Sequence, residues 1–197
     1  MTQPYHHGNL REALLEAARE IIAEEGPRGL RLRAIARRAG VSPAAPYRHF
    51  RDLEAVFAAI ATEGFERFSR YLEEAGAGIG DPLARLGALG EAYVRFALQN
   101  PAAFRVMFGD RIGEPEAHPG LEAAGRRAFA PLEEAIRAGL ASARMRGDDP
   151  EAMILLAWSS VHGLATLLLE GKVPLEGDAS RLAGRLARVL FAGLEAD

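Results

Sequence analysis

The chain has no cysteine in its 197 residues and only one lysine, Lys172. Without cysteine there is no disulfide framework, thiolate metal site or cysteine nucleophile, and nothing calls for an oxidising compartment, so a cytoplasmic location is expected. The near-exclusive use of arginine as the cation reflects genome composition more than function. Long apolar runs are scarce too. The opening MTQPYHHGNLRE has no signal-peptide core, and the longest mostly apolar stretch, Leu155 to Leu169, reads as too short and interrupted to span a bilayer. Signatures of catalysis are also lacking: there is no HExxH run, phosphate-cradling glycine loop, Ser-His-Asp spacing or pair of catalytic carboxylates. The chain is therefore expected to be neither an enzyme nor a membrane protein, and to need no cofactor or metal.

What is present describes a folded protein. Apolar residues make up 49% of the chain and charged ones 26%, far from the balance of a disordered segment. The net charge of −3 conceals an asymmetry: residues 1–51 hold nine arginines against five carboxylates, and the remainder holds fifteen basic against twenty-two acidic residues. A polyanion would meet its cationic surface in the first quarter of the chain.

Helical spacing dominates, no run alternates with period two, and no internal repeat is evident, so the fold is expected to be all-α with about nine helices. The first helix spans about Leu10 to Glu24, with Leu10, Leu14, Ala17, Ala18, Ile21 and Ile22 on one face, Asn9 and Glu12 as a capping box, and Gly26-Pro27 as its stop. A shorter helix covers Leu32 to Ala39, followed by a Gly-Val-Ser break and another short helix with Ser42 as cap and Pro43 in its first turn. Asp52 caps a long amphipathic segment reaching about Glu74, where the glycines at 76, 78 and 80 begin a link. Further helices are expected from Pro82 to Asn100, from Pro101 to Gly109, and at about 120–146, 150–170 and 178–195, with Pro131 kinking the first of these last three. This predicts a small head over 1–51, a linking helix over 52–74 and a helical body over 75–197.

The informative stretch is AIARRAGVSPAAPYRHF, Ala34 to Phe50. Ala36, Gly40 and Val41 have the chemistry of a tight turn between two closely crossing helices. Ile35, Val41, Pro46 and Phe50 are expected to pack inward. Ser42, Ala44, Ala45, Tyr47, Arg48 and His49 are then left on an outer face that can reach the base edges and phosphates of a major groove, with Arg33, Arg37 and Arg38 adding charge beside it. Singly, each has a plainer reading as a solvated charge or half-buried packing; the ordered set is harder to assemble by chance.

These residues resemble the head of the TetR family of regulators, whose motif IA..AGVS...Y.HF stands here as Ile35-Ala36, Ala39-Gly40-Val41-Ser42, Tyr47, His49 and Phe50. The resemblance implies that Arg33, Ser42, Ala44, Ala45, Tyr47, Arg48 and His49 face double-stranded DNA. It further implies a ligand-responsive regulator, most simply a repressor that acts as a homodimer on a palindromic operator and is released by a small hydrophobic or amphipathic effector. Two positions depart from the family pattern. Arg31 stands where a Ser or Thr usually caps the helix before the turn, a loss of roughly 1 kcal/mol, and Leu53 stands where a phosphate-binding Lys is common. The opening YHHGNLREALL, with His6 and His7 suited to an arm on DNA, and the late AWSSVHG, with Trp158, His162 and Gly163, resemble the branch named for a Trp-His-Gly body.

In the body, Phe65, Phe68, Phe96, Phe104, Met107, Phe108, Phe129, Trp158 and His162 are candidate walls of an effector pocket, together with Tyr93 and Met153. At helical spacing the same residues also suit an ordinary core, and His162 suits a buried, hydrogen-bonded histidine. Leu164, Leu168, Leu182, Leu186, Val189, Leu190 and Leu194 are candidate dimer contacts in a four-helix arrangement of the last two helices with their symmetry mates. The alternatives are a small helical binding protein or enzyme whose helix-turn-helix serves packing alone, and a regulator that no longer responds to ligand.

Overall fold

A computed structural model of the chain describes residues 10–114, 117–173, 181–182, 184–186 and 189. Seven α-helices lie among them: α1 (Leu10–Glu25), α2 (Leu32–Arg38), α3 (Leu53–Gly76), α4 (Pro82–Gln99), α5 (Pro101–Met107), α6 (Pro119–Ala141) and α7 (Pro150–Leu169). Helical residues recur between 181 and 189, which makes an eighth, and no strand occurs among the described residues. Eight helices instead of nine is a correction with a local cause. The segment opened by Ser42 and Pro43 is not an α-helix but a turn leading into one 3-10 turn, Pro46–Arg48. Pro46 has no N–H to return to Ser42, so the chain closes with shorter steps: Ala45 N donates to Ser42 O at 2.9 Å and Arg48 N to Ala45 O at 3.2 Å. The proposed cap Asn9, the arm with His6 and His7, and Leu190 and Leu194 lie outside the described residues.

The chain forms two compact units. One comprises the chain up to Gly64 together with Pro101–Glu122, and the other Phe65–Asn100 together with the chain from Ala123. The division differs from a boundary at 51 and 75 because α5 contacts α1 and the 3-10 turn Pro27–Gly29, and its Phe104, Val106 and Met107 are buried there. Close approach between α5 and α3 depends on Gly64, where a Cβ would run into the Met107 side chain. α3 itself begins in the first unit and ends in the second.

In the first unit, α1 buries Leu14, Leu15, Ala17, Ala18, Ile21 and Ile22 against a core that includes Leu30, Ile35, Ala36, Phe50, Val56 and Phe57. Burying each large apolar side chain stabilises by about 1.5–3 kcal/mol, so the helix spacing suffices to explain the packing. Arg19 fastens the solvent side of α1 through ion pairs to Glu12, Glu16 and Glu63. In the second unit, α4 packs on α7. Aspartate caps start both helices: Asp81 accepts from Ala84 N at 2.9 Å and Asp149 from Ala152 N at 3.0 Å, each followed by a proline that needs no donor. α6 continues through Pro131. Leu86, Ile136, Met145, Met153 and Ala157 form a buried apolar cluster in this unit. α7 runs for twenty residues, longer than Leu155 to Leu169, because the Asp149 cap starts it five residues earlier. By length and composition it is the one described helix that could cross a membrane.

Candidate functional site

The turn between α2 and the 3-10 turn at Pro46 is fixed by the backbone. Gly40 takes φ +69°, Val41 N donates to Ala36 O at 2.9 Å and Gly40 N to Arg37 O at 3.2 Å, which is a Schellman closure of α2. Only glycine occupies that left-handed conformation without strain. Beneath it Ile35, Pro46 and Phe50 are buried and Val41 is half-buried. Arg11 lies over the Phe50 ring at 5.4 Å, covering its outer face. The consequence is a set of side chains with nowhere to go but outward: Ser42, Ala44, Arg48 and His49 are exposed, Tyr47 is 58% exposed, and Ala45 is half-buried. Arg33, at the start of α2, is exposed as well.

The arginines of this unit are not equivalent. Arg38 is gripped by Glu24 at 2.6 Å and Glu20 at 3.2 Å, and these carboxylates raise its pKa, while Arg38 in turn lowers that of Glu24. Arg51 is engaged by Asp52 at 2.8 Å. Arg33, Arg37 and Arg48 make no ion pair among the described residues, so their charge is available to an external anion. Arg31, at the cap of α2, makes no side-chain cap bond. Its guanidinium instead donates backward to Arg28 O at 2.8 Å and Leu30 O at 2.6 Å, fastening the preceding 3-10 turn. Asp52 caps α3 by accepting from Ala55 N at 2.8 Å, and that bond, with Arg51, holds its carboxyl below the usual range. Glu54, in the first turn of α3, accepts from Gly113 N at 3.3 Å and lies 3.3 Å from His118 Nε2. The loop before α6 is thereby tied to the start of α3.

The second unit contains a partly open, apolar cavity of about 50 Å³. Its walls come from Phe68 and Leu72 on α3, Leu86, Leu89, Gly90 and Tyr93 on α4, Ala128, Phe129 and Leu132 on α6, Ala157, Trp158 and Val161 on α7, and Leu186. The repeat of three and four residues along each helix is what turns these side chains to one place. Aromatic edges stiffen it: Phe68 meets Tyr93 edge-on at 5.1 Å, Phe129 meets Trp158 at 5.0 Å, and Trp158 sits one turn before His162 with rings 5.9 Å apart. Tyr93 Oη and His162 Nδ1 share a hydrogen bond of 2.8 Å. Burial raises the Tyr93 pKa strongly, with the Trp158 indole N–H pulling slightly the other way, and burial lowers that of His162. Both are neutral near pH 7, so the phenol donates to an unprotonated imidazole nitrogen or accepts from the other tautomer. Trp158 Nε1 is buried with the Tyr93 hydroxyl as its polar neighbour, outside ideal hydrogen-bond geometry.

Of the nine pocket candidates, Phe68, Phe129 and Trp158 line the cavity, and His162 stands behind it through Tyr93. Phe65 and Phe96 are buried in the same unit without lining it, while Phe104, Met107 and Phe108 belong to the other unit, with Phe104 and Phe108 rings 4.8 Å apart. Periodicity does not distinguish these places, since α5 has the same spacing wherever it packs. Leucines at 72, 86, 89 and 132 are wall residues that carry no sequence signal beyond core. Among the dimer candidates, Leu164 is buried in its own chain, Leu186 lines the cavity, Leu168 and Leu182 are half-buried, and Val189 is 74% exposed. The face of α7 that does stand in solvent carries Leu155, Leu156 and Leu167. The sequence does not single these three out, because an apolar helix with leucines on all sides offers no stripe to choose.

Comparison with known proteins places both halves. Residues 14–60 match the bacterial regulatory proteins of the tetR family, and residues 86–190 match the tetracyclin repressor-like C-terminal domain. A solved structure of a protein of unknown function from Rhodococcus sp. RHA1 is 34% identical, with a TM-score of 0.84 over 99% of this chain and 100% of that one. The TetR family transcriptional regulator PfmR from Thermus thermophilus is 23% identical, with a TM-score of 0.69 over 93% and 99%. The regulator FadR from Bacillus subtilis, solved in complex with stearoyl-CoA, is 18% identical, with a TM-score of 0.76 over 94% and 100%.

Proposed function

Because the chain belongs to the TetR family, whose members are non-enzymatic, ligand-responsive DNA-binding regulators of transcription, we propose that it is a cytoplasmic homodimeric repressor of a palindromic operator. Residues 1–51 serve as its DNA-binding domain, 52–74 as the connecting helix and 75–197 as the effector and dimerisation body. The observation that carries this reading is the turn at Gly40, which leaves Ser42, Ala44, Ala45, Tyr47, Arg48 and His49 outside a buried Ile35, Pro46 and Phe50. Small residues at 44 and 45 allow close approach to thymine methyl groups, Arg48 suits guanine or phosphate, and Tyr47, His49 and Arg33 suit phosphates. Two such heads on a twofold axis meet major grooves about 34 Å apart, which requires an inverted repeat.

The apolar cavity supports a small hydrophobic or amphipathic effector, and a regulator of the same fold is solved with stearoyl-CoA. The pattern of Trp158, His162 and Gly163 supports the Trp-His-Gly branch. For the dimer, the exposed Leu155, Leu156 and Leu167 on α7 and Val189 are better contacts than Leu164, which its own core occupies. An effector that fits only one conformation of the body shifts α3, and with it the head, by favouring that conformation. Selection of a random duplex library with the purified protein tests this function. An enriched inverted repeat is expected, bound more weakly as salt rises, and the absence of any enriched site overturns it.

A further inference from the structure

The two arginines of α1, Arg11 and Arg19, are used differently. Arg19 is ion-paired to Glu12, Glu16 and Glu63. Arg11, exposed in the first turn of the helix, makes no ion pair and no hydrogen bond among the described residues, and its guanidinium carbon lies 5.4 Å from the centre of the Phe50 ring. The carboxylates nearest in sequence to Arg11 and to Phe50 are engaged elsewhere: Glu12 and Glu16 hold Arg19, Asp52 holds Arg51 and caps α3, and Glu54 accepts from Gly113 N.

A ring holds a cation without consuming its donors. The ring face attracts the charge through its quadrupole, while the five guanidinium N–H groups keep their capacity for an acceptor. A carboxylate in the same place would neutralise the charge and occupy the fork. Phe50 is itself fixed: it is buried, and its N–H donates at 2.9 Å to Pro46 O, the carbonyl that also accepts from His49 N at 3.0 Å. The 3-10 turn that carries Tyr47, Arg48 and His49 therefore also sets where Arg11 stands. Resting on the ring, the long side chain has less rotamer freedom to lose when it meets a partner.

The geometry points to Arg11 as a further DNA contact, a guanidinium poised on Phe50 that donates to a backbone phosphate of the operator beside the turn. This rests on the reading just given that the turn binds DNA. A phosphate contact reads no sequence, so it strengthens binding to every duplex alike. It also extends the DNA-binding surface from the helix-turn-helix to the start of α1.

Binding of the full-length native protein, Arg11→Gln and Arg11→Lys is measured by fluorescence anisotropy between about 50 and 200 mM salt. The probes are the operator enriched by selection and a random duplex of equal length. Arg11→Gln is expected to reduce the slope of log binding constant against log salt by about one on both duplexes. At about 0.1 M salt it should weaken both about eightfold, the factor that a slope of about 0.9 gives relative to 1 M. Arg11→Lys keeps the charge and is expected to keep the slope. A loss of folded protein divides the apparent binding constant by one factor at every salt concentration, so the slope separates a lost contact from a lost fold. An unchanged slope in Arg11→Gln, a slope that falls as far in Arg11→Lys, or a loss confined to the operator each overturns the phosphate contact and leaves the turn as the DNA-binding element. If the native protein binds neither duplex, the DNA-binding reading fails and the inference fails with it.

Discussion

In the unit that carries the turn, Tyr47, Arg48 and His49 stand in water and owe their placement to backbone bonds around Gly40 and Pro46. In the other unit, Tyr93, Trp158 and His162 are placed by ring packing inside an apolar interior, where burial keeps Tyr93 and His162 uncharged. The first arrangement suits an anionic partner that arrives with its own charge and must be met by side chains free to approach it. The second suits a ligand that must be stripped of water before it is recognised. The same contrast predicts which substitutions damage the fold and which damage only binding.

The largest effect is expected in the buried unit. Phe96 is 2% exposed and packs against Phe68 at 4.9 Å and Tyr71 at 5.8 Å, so Phe96→Ala removes a ring from a filled space. It should cost about 3–5 kcal/mol in denaturant unfolding, and a loss below about 1 kcal/mol would show that this interior can close over the gap. Next is Arg48→Ala. Its side chain is exposed and makes no ion pair among the described residues, so the unfolding midpoint should stay where it is while operator affinity falls by about 1–3 kcal/mol. An equal loss for every duplex sequence, with a shallower salt dependence, would reassign Arg48 from a base to a phosphate.

The same division sets how much is legible in the sequence. The head is legible because its information is local: Gly40 must follow α2 by one turn residue, and Ile35, Pro46 and Phe50 alternate with the outward set at fixed spacing. Only the form of the second helix escapes, because the donor that Pro46 lacks matters in a segment too short to absorb it. In the body, helix existence and the caps at Asp81 and Asp149 are equally plain. What no spacing contains is which of many equivalent apolar faces meet. Phe104 on α5 and Phe129 on α6 are indistinguishable as letters, yet the first packs in the unit with α1 and the second in the cavity wall. Tyr93 and His162, sixty-nine residues apart, become a pair only through the packing of α4 on α7. The pairing of Arg38 is hidden for the same reason, since its partners lie on α1.

A smaller effect is expected from pH. Burial lowers the His162 pKa in the folded chain, so the unfolded chain takes up this proton first. Stability from this residue is therefore complete above its ordinary value of about 6.5 and declines as pH falls below it. That window lies above the one set by Asp52 and Asp81, whose lowered values place their losses in acid, below the ordinary carboxylate value of 3.8. His162→Gln should flatten the dependence of unfolding free energy on pH between about 7 and 5. An unchanged slope would mean that another group titrates there.

The smallest effect separates two neighbouring arginines. Arg37 and Arg38 are adjacent at the end of α2, and both are exposed, so a count of head charges treats them alike. Arg38 is held by Glu20 and Glu24, whereas Arg37 makes no ion pair among the described residues. A phosphate approaching Arg38 would have to displace two carboxylates that already neutralise it, and would gain little from an exchange of one anion for another. One approaching Arg37 releases its own counterions, and each phosphate so neutralised steepens the dependence of log binding constant on log salt by about 0.9. Arg37→Ala should therefore reduce that slope by about one, and Arg38→Ala should leave it unchanged. If Arg38→Ala reduces the slope as much as Arg37→Ala does, then the carboxylates of α1 give way to DNA, and the head turns to binding the charge it uses in isolation to fasten α2 to α1.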